Sequence, residues 1–179
     1  MTDEQLMEAV KNGDLHHASV LFERYNKRIY NFLAQMTFNR PLAEDLTQNV
    51  FMRMLKYSNS FRTGLSFQSW IYTVAKNVFY DHFRSKKNNI ADYIAVDNLG
   101  DRLIDANEAQ EQDEREQTLH RSMALLSEEQ RELLILTRFQ NMKYEEVAVI
   151  MNTTVSNIKV KVHRTIQKLR EHYFQLEEK

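Results

Sequence analysis

No cysteine occurs among the 179 residues, which excludes a disulfide framework, a thiolate metal site and a cysteine nucleophile. Proline occurs once and glycine three times, too few turn-formers for a protein of many strands and tight hairpins. No apolar run comes near the roughly 20 residues that a membrane helix needs; Leu133–Leu136 is typical of what exists. The opening MTDEQLMEAV lacks the basic and then apolar order of a secretory signal. A soluble cytoplasmic protein with no membrane insertion is expected. Also missing are a glycine-rich phosphate loop, a nucleophile motif and metal-ligand spacing. The adjacent His16 and His17 cannot face one site from a helix. No catalytic residue, metal or cofactor is therefore expected.

What is plentiful is Leu, Gln, Glu, Lys, Arg and Met, residues that favour helix. The fold class expected is all-α, and the length suits one domain or two small ones. The net charge of −1 conceals a division along the chain. Residues 1–87 carry 12 basic and 8 acidic side chains, residues 88–134 carry 4 and 12, and residues 135–179 carry 8 and 5. Two basic ends around an acidic middle suggest two surfaces facing a polyanion; chance clustering of solvated charges is the bland alternative.

Thr2 with Gln5 has the spacing of a capping box, and Gly13 marks a stop after a first short helix. Leu15, Ala18, Phe22, Tyr25, Ile29, Phe32, Leu33 and Met36 then recur at three and four, the buried stripe of a long second helix. Asn39-Arg40-Pro41 breaks that pattern, and Pro41 suits the first turn of a third helix reaching about Tyr57. Leu42, Leu46, Val50 and Met54 share one face of it. Phe51 and Leu55 fall beside Glu44 and Gln48 on a second, mixed face, which either packs within a bundle or meets another protein.

Residues 58–66 read as a loop, with Ser66 as N-cap of a fourth helix running to about Lys86. Its inner stripe is Phe67, Ile71, Val74 and Val78. Tyr72, Lys76, Phe79, Tyr80 and Phe83 fall on roughly the opposite side and lead into Arg84, Lys86 and Lys87. Outward rings with cations are what single-stranded bases stack on; the competing reading packs these rings on neighbouring helices. From Asn88 to about Glu111 the chain is polar and acidic, a flexible linker. Helical patterning then resumes with Leu119, Met123 and Leu126. Ser127 with Gln130 caps a further helix carrying Leu133, Leu134, Leu136 and Phe139.

The sharpest local signal lies in the last 40 or so residues. YEEVAVIM (144–151) forms a short helix with Val147, Ala148 and Met151 inward, then comes the turn Asn152-Thr153-Thr154 and a longer helix from Val155 to about Tyr173. Asn152 can take the left-handed conformation that such a turn needs, and Thr154 can cap the longer helix. This is helix-turn-helix spacing. Ile158, Val162, Ile166 and Leu169 make the buried stripe of the second helix, while Lys159, Lys161, His163, Arg164, Lys168 and Arg170 lie elsewhere. Such a helix brings charge and donors to a DNA major groove. A basic amphipathic helix with no DNA role is the alternative.

Four stretches in order carry a resemblance: LFERYNKRIYNF (21–32), AEDLTQNVFMRM (43–54), FRTGLSFQSWIYTVAKNVFYDHFR (61–84) and the long run from Leu126 to Glu171. Together they resemble the extracytoplasmic-function sigma factors, the smallest members of the primary bacterial sigma family. The resemblance implies two small helical bundles joined by the acidic linker: a region 2 domain at 1–87, the linker at 88–111, and a region 4 domain with the helix-turn-helix at 112–179. It implies a transcription initiation factor that binds core RNA polymerase through the beta-prime clamp and beta subunits, with promoter DNA, duplex and single-stranded, as its other partner.

By the same resemblance Glu44, Asp45, Gln48 and Phe51 would contact polymerase. Arg62, Thr63, Gly64, Leu65 and Ser66, with Asn77, would hold a base flipped from the minus-ten element, beside Lys76, Tyr80 and Arg84. Flipping costs a few kcal/mol, so the receiving groups must already be in place. Lys159, Val160, His163 and Arg164 would read the minus-thirty-five element. Lys161 and Lys168 add charge, and Ser156 and Asn157 stand where a helix N-terminus meets phosphate. An anti-sigma protein is an expected partner, and the linker would thread toward the polymerase active site.

This chain departs from the common pattern at Ser127, where proline is usual, and at Asn141 and Asn152, where glycine is common. Lys143 stands in place of a capping serine, and Val160 in place of a polar residue. Valine can touch a thymine methyl but donates no hydrogen bond, so the upstream motif differs from that of relatives with a polar residue there. The alternative to a sigma role is a helix-turn-helix regulator that binds duplex DNA without polymerase.

Overall fold

The computed structural model describes residues 1–87 and 114–179. The linker expected at 88–111 lies outside the described residues. Four helices form the N-terminal half: α1 (Asp3–Lys11), α2 (His16–Thr37), α3 (Arg40–Lys56) and α4 (Phe67–Lys87), with a 3-10 turn at Ser58–Ser60. Four more form the C-terminal half: α5 (Glu114–Ala124), α6 (Glu128–Leu134), α7 (Tyr144–Ile150) and α8 (Val155–Glu177). No strand occurs among the described residues.

The helix ends arise from local chemistry. Thr2 and Gln5 close a reciprocal capping box at α1, and Ser127 and Gln130 close another at α6, each satisfying donors that the first turn leaves unpaired. Asn39 Oδ1 accepts from the Leu42 N–H at 3.0 Å to start α3. Phe38 ends α2 in the left-handed region at φ 52°. Ser66 Oγ accepts from the Ser69 N–H at the head of α4, where Glu4 of α1 also accepts from the Phe67 N–H at 3.0 Å.

Helices α2 and α3 pack side by side, with α1 and α4 laid against them. Leu21, Ile29, Phe32, Leu33, Val50, Phe67 and Ile71 are fully buried at the centre. Edge-to-face rings knit this core: Phe32 on Tyr72 at 5.6 Å and Tyr25 on Phe67 at 5.1 Å, each such pair worth about 0.5–1.5 kcal/mol beyond burial. The expected stripe of α2 holds from Tyr25 to Met36 and fails at its start, where Leu15 is 65% and Phe22 46% exposed.

In the C-terminal half α8 lies against α5, α6 and α7. Ile158 and Val162 are buried as the periodicity requires, and Thr165 joins them. After Leu134 the helix widens into a π-helical turn, Ile135–Phe139, closed by the Gln140 N–H on the Ile135 carbonyl at 2.8 Å. That extra residue rotates Phe139 out of the expected core stripe, leaving it 44% exposed. Asn141 and Asn152 both sit at φ 51°, so asparagine does at these turns what glycine does elsewhere. Asn152→Ala should therefore lower stability by about 1 kcal/mol and Asn152→Gly should not, as read from urea unfolding of the full chain.

Candidate nucleic-acid interface

Three surfaces collect the residues singled out in the sequence. On α3, Glu44, Asp45 and Gln48 are exposed. Phe51 is not: it is 7% exposed and holds Phe22 edge-to-face at 4.8 Å. What reaches solvent beside the acids is Met52 at 70% and Leu55 at 44%. The mixed face is thus carboxylates and an amide bordering apolar side chains, with Phe51 as its floor. Met52 lies seven residues after Asp45, on the same helix face, and the three-four pattern could have revealed it.

The second surface is the loop before α4 together with α4 itself. Helix α1 pins the loop: the Thr63 hydroxyl donates to Glu8 at 2.7 Å, and Lys11 donates to the Phe61 carbonyl at 3.0 Å. The Thr63 hydroxyl holds the Glu8 carboxyl below its ordinary range. Arg62, Thr63, Gly64 and Leu65 are exposed, with Gly64 at φ 90°, and Ser66 is half-buried. Asn77 and Arg84 are exposed farther along α4.

Of the two readings open for the rings of α4, packing against neighbouring elements holds for Tyr72 and Phe79. Tyr72 is fully buried and Phe79 nearly so, because α4 packs on two sides: against α2 and α3, and against α7 of the C-terminal half. The Tyr72 hydroxyl donates to Gln140 Oε1 at 2.7 Å, and its burial pushes that phenol up to about 12. Tyr80 donates to Glu132 Oε2 at 2.9 Å, while Lys76 lies 3.7 Å from Glu132 Oε1 and donates to the Ile150 carbonyl at 3.2 Å. Glu132 is 1% exposed, and that burial raises its carboxyl above the usual range. Glu146 faces the Ser66 hydroxyl at 3.4 Å and the Gln68 amide at 3.3 Å. Glu132, Gln140 and Glu146 thus enter the site unannounced by any local pattern, since their partners lie more than 50 residues away in the chain.

The third surface is the helix-turn-helix. Thr154 Oγ1 accepts from the Asn157 N–H at 3.2 Å, and Asn157 Nδ2 donates to Thr153 Oγ1 at 2.7 Å. The turn is locked by its own side chains, and α8 leaves it in a fixed direction. Ser156, Asn157, Lys159, His163, Arg164 and Lys168 are exposed, and Val160 is 47% exposed. Lys161 differs: it turns back to pair with Glu129 of α6. An exposed pair of this kind contributes little to stability, so Lys161 remains exchangeable with a phosphate. No helix among the described residues is long and apolar enough to cross a membrane. No described group of His, Asp and Glu could hold a metal ion.

Comparison with known proteins finds two matches in the order of the two halves. The model of sigma-70 region 2 matches residues 21–89, and that of sigma-70 region 4 matches residues 116–169. The sigma factor SigM of Bacillus subtilis is 31% identical over 154 residues, covering 86% of this chain and 93% of that relative. The RNA polymerase sigma-H factor of Pseudomonas aeruginosa is 28% identical over 171 residues, covering 90% and 89%. Among solved structures, the sigma factor RpoE of Bartonella quintana, determined in complex with the anti-sigma factor NepR, superposes with a TM-score of 0.69. It is 25% identical, covering 86% of this chain and 94% of that one.

Proposed function

The chain belongs to the extracytoplasmic-function sigma factors, bacterial transcription initiation factors, and from that premise we propose that its three surfaces meet polymerase, the minus-ten element and the minus-thirty-five element. The observation that carries this reading is the outer face of α8. It presents Lys159, Val160, His163 and Arg164 to solvent from a helix start locked by Thr153, Thr154 and Asn157. Cations and a branched apolar side chain at that end suit phosphates, base edges and a thymine methyl in a major groove.

The loop from Arg62 to Ser66 and Asn77 receives a flipped base of the minus-ten element. The pinning of that loop by Glu8 and Lys11 supports this, because a pocket that captures an unstacked base must be formed beforehand. Arg84, two turns beyond Asn77 on α4, is exposed to meet phosphate; Lys76 and Tyr80 belong to the same helix. The exposed Glu44, Asp45 and Gln48 of α3 meet the clamp of core polymerase. An anti-sigma protein is a further partner, on the strength of the relative captured with NepR. The linker acts as a tether between the two DNA-reading halves, and the chain works in the cytoplasm without catalysis of its own.

Added to core polymerase and a library of random duplexes, the chain should yield transcripts whose templates share two motifs at fixed separation. Transcripts with no shared upstream motif would contradict the reading. In the same assay Asn77→Ala should leave the complex with core intact and slow open-complex formation by about tenfold, the scale of one missing base contact. Permanganate reactivity of unpaired thymines measures that step. A loss of core binding instead would remove Asn77 from the base pocket.

A further inference from the structure

Helix α1 holds the loop before α4 at three points. Glu4 accepts from the Phe67 N–H at 3.0 Å, Glu8 Oε1 accepts from the Thr63 hydroxyl at 2.7 Å, and Lys11 donates to the Phe61 carbonyl at 3.0 Å. Glu4, Glu8 and Lys11 share one helix face, so a single stripe of α1 clamps Phe67, Thr63 and Phe61 in turn. We propose that α1 is a positioning element for base selection: by taking the Thr63 proton, Glu8 leaves that hydroxyl as an acceptor and favours a flipped cytosine or adenine. This rests on the minus-ten assignment of the loop from Arg62 to Ser66 and adds a determinant that lies outside it, ahead of the residues that match region 2.

The clamp has a fixed frame. Asp3, at the head of α1, accepts from Arg24 and from the Tyr25 hydroxyl of α2, each at 2.6 Å, while Leu6, Met7 and Val10 are buried in the core. Within the loop the Leu65 N–H closes on the Arg62 carbonyl at 3.2 Å with Gly64 at φ 90°, the place that a type II turn gives to glycine. Thr63 therefore stands at the corner of a closed turn, and Glu8 holds that corner.

The direction of the hydroxyl proton decides what Thr63 can offer. A hydroxyl has one proton and two lone pairs. With that proton donated to Glu8, the Thr63 oxygen can only accept. Cytosine and adenine carry an amino group where thymine and guanine carry a carbonyl oxygen. A base offering its amino group gains a hydrogen bond at Thr63, whereas one offering its carbonyl meets a lone pair. An unanchored hydroxyl would turn to suit either. Glu8 Oε1 also lies 3.4 Å from the Lys11 ammonium, and that charge keeps an oxygen, not an amide nitrogen, turned toward Thr63 when glutamine replaces the carboxylate.

The test uses the full chain assembled with core polymerase on a promoter selected from the random library. A fluorescent purine analogue placed at each minus-ten position in turn identifies the flipped base by its rise in emission. Templates carrying each of the four bases at that position then compete for open-complex formation. Cytosine or adenine should be favoured over thymine and guanine by about tenfold, the scale of one base contact. Glu8→Ala should bring that preference down toward one, and Glu8→Gln, whose Oε1 can still face Thr63 and Lys11, should keep most of it. Thr63→Val removes the hydroxyl altogether, and the preference in Glu8→Ala with Thr63→Val should equal that of either single variant, as a coupled pair requires. No preference or a preference for thymine or guanine in the unaltered chain, or an undiminished preference in Glu8→Ala, overturns the proposal. So does an equal loss on all four bases that tracks a lowered urea midpoint, the result of a merely structural contact. In those cases Asn77→Ala judges the minus-ten assignment separately, and a persisting permanganate defect leaves that assignment standing without α1. No rise in emission at any position would remove the flipped base and this inference with it.

Discussion

Asp45→Ala should weaken the chain's affinity for core polymerase by about tenfold or more while leaving its unfolding midpoint unchanged, and Phe51→Ala should do the reverse in the first instance. Asp45 is exposed on α3 and lies outside the core, so its removal costs only what it contributes to an interface. Hot-spot residues at such interfaces are worth about 2 kcal/mol or more. Phe51 is 7% exposed and holds the ring of Phe22. Deleting a buried phenyl costs about 3–5 kcal/mol, against a total that for a domain is about 5–15 kcal/mol. Any loss of polymerase affinity in Phe51→Ala will thus arrive with a lowered urea midpoint. Fluorescence anisotropy of labelled chain titrated with core, beside urea unfolding of each variant, separates the two. An Asp45→Ala chain that binds core normally would remove α3 from the polymerase surface.

Lys159→Ala combined with Arg164→Ala should abolish selective binding of the upstream element. Both side chains leave the exposed face of α8 near its capped start. Each good contact to a base edge contributes about 1–3 kcal/mol of discrimination, so the pair should reduce specific affinity by about 30-fold or more. To the extent that they also touch phosphates, the slope of log K against log salt should flatten by about 0.9 for each phosphate no longer neutralised. Val160→Thr is the informative companion. It keeps the shape and adds a donor, and should shift the preferred base at one position without changing the salt slope. Competition between duplex libraries at two salt concentrations reads both effects, and unchanged selectivity in the double variant would end the recognition-helix assignment.

The local devices of this fold were legible in the sequence because they are made by neighbours. Thr2 with Gln5, Ser127 with Gln130, Ser66 and Thr154 all cap the helices expected of them, and Asn152 takes its left-handed turn. Periodicity marked which face of a helix is apolar but not how far the core extends along it, so Leu15 and Phe22 are more open than expected. The rings of α4 left two readings open for a related reason. Tyr72 and Phe79 do fall opposite the inner stripe, yet the second half of the chain covers them, and a contact between residues 68 apart leaves no periodic trace. The π-helical turn that aims Gln140 at Tyr72 likewise has no local signature. The roles proposed for individual side chains come from the resemblance, and their chemistry and exposure suit those roles.

Two helical bodies of one chain, holding a single initiation complex at two separate places on DNA, are what every assignment above depends on. A photoreactive amino acid placed at Asn77 in one preparation and at Val160 in another, each assembled with core polymerase on a promoter selected from the random library, probes this without an intermediary. Position 160 should crosslink to the upstream duplex and position 77 to the melted strand downstream, the first strengthened by core and the second formed only when core is present. Crosslinks to duplex alone, formed equally well without polymerase, would refute it.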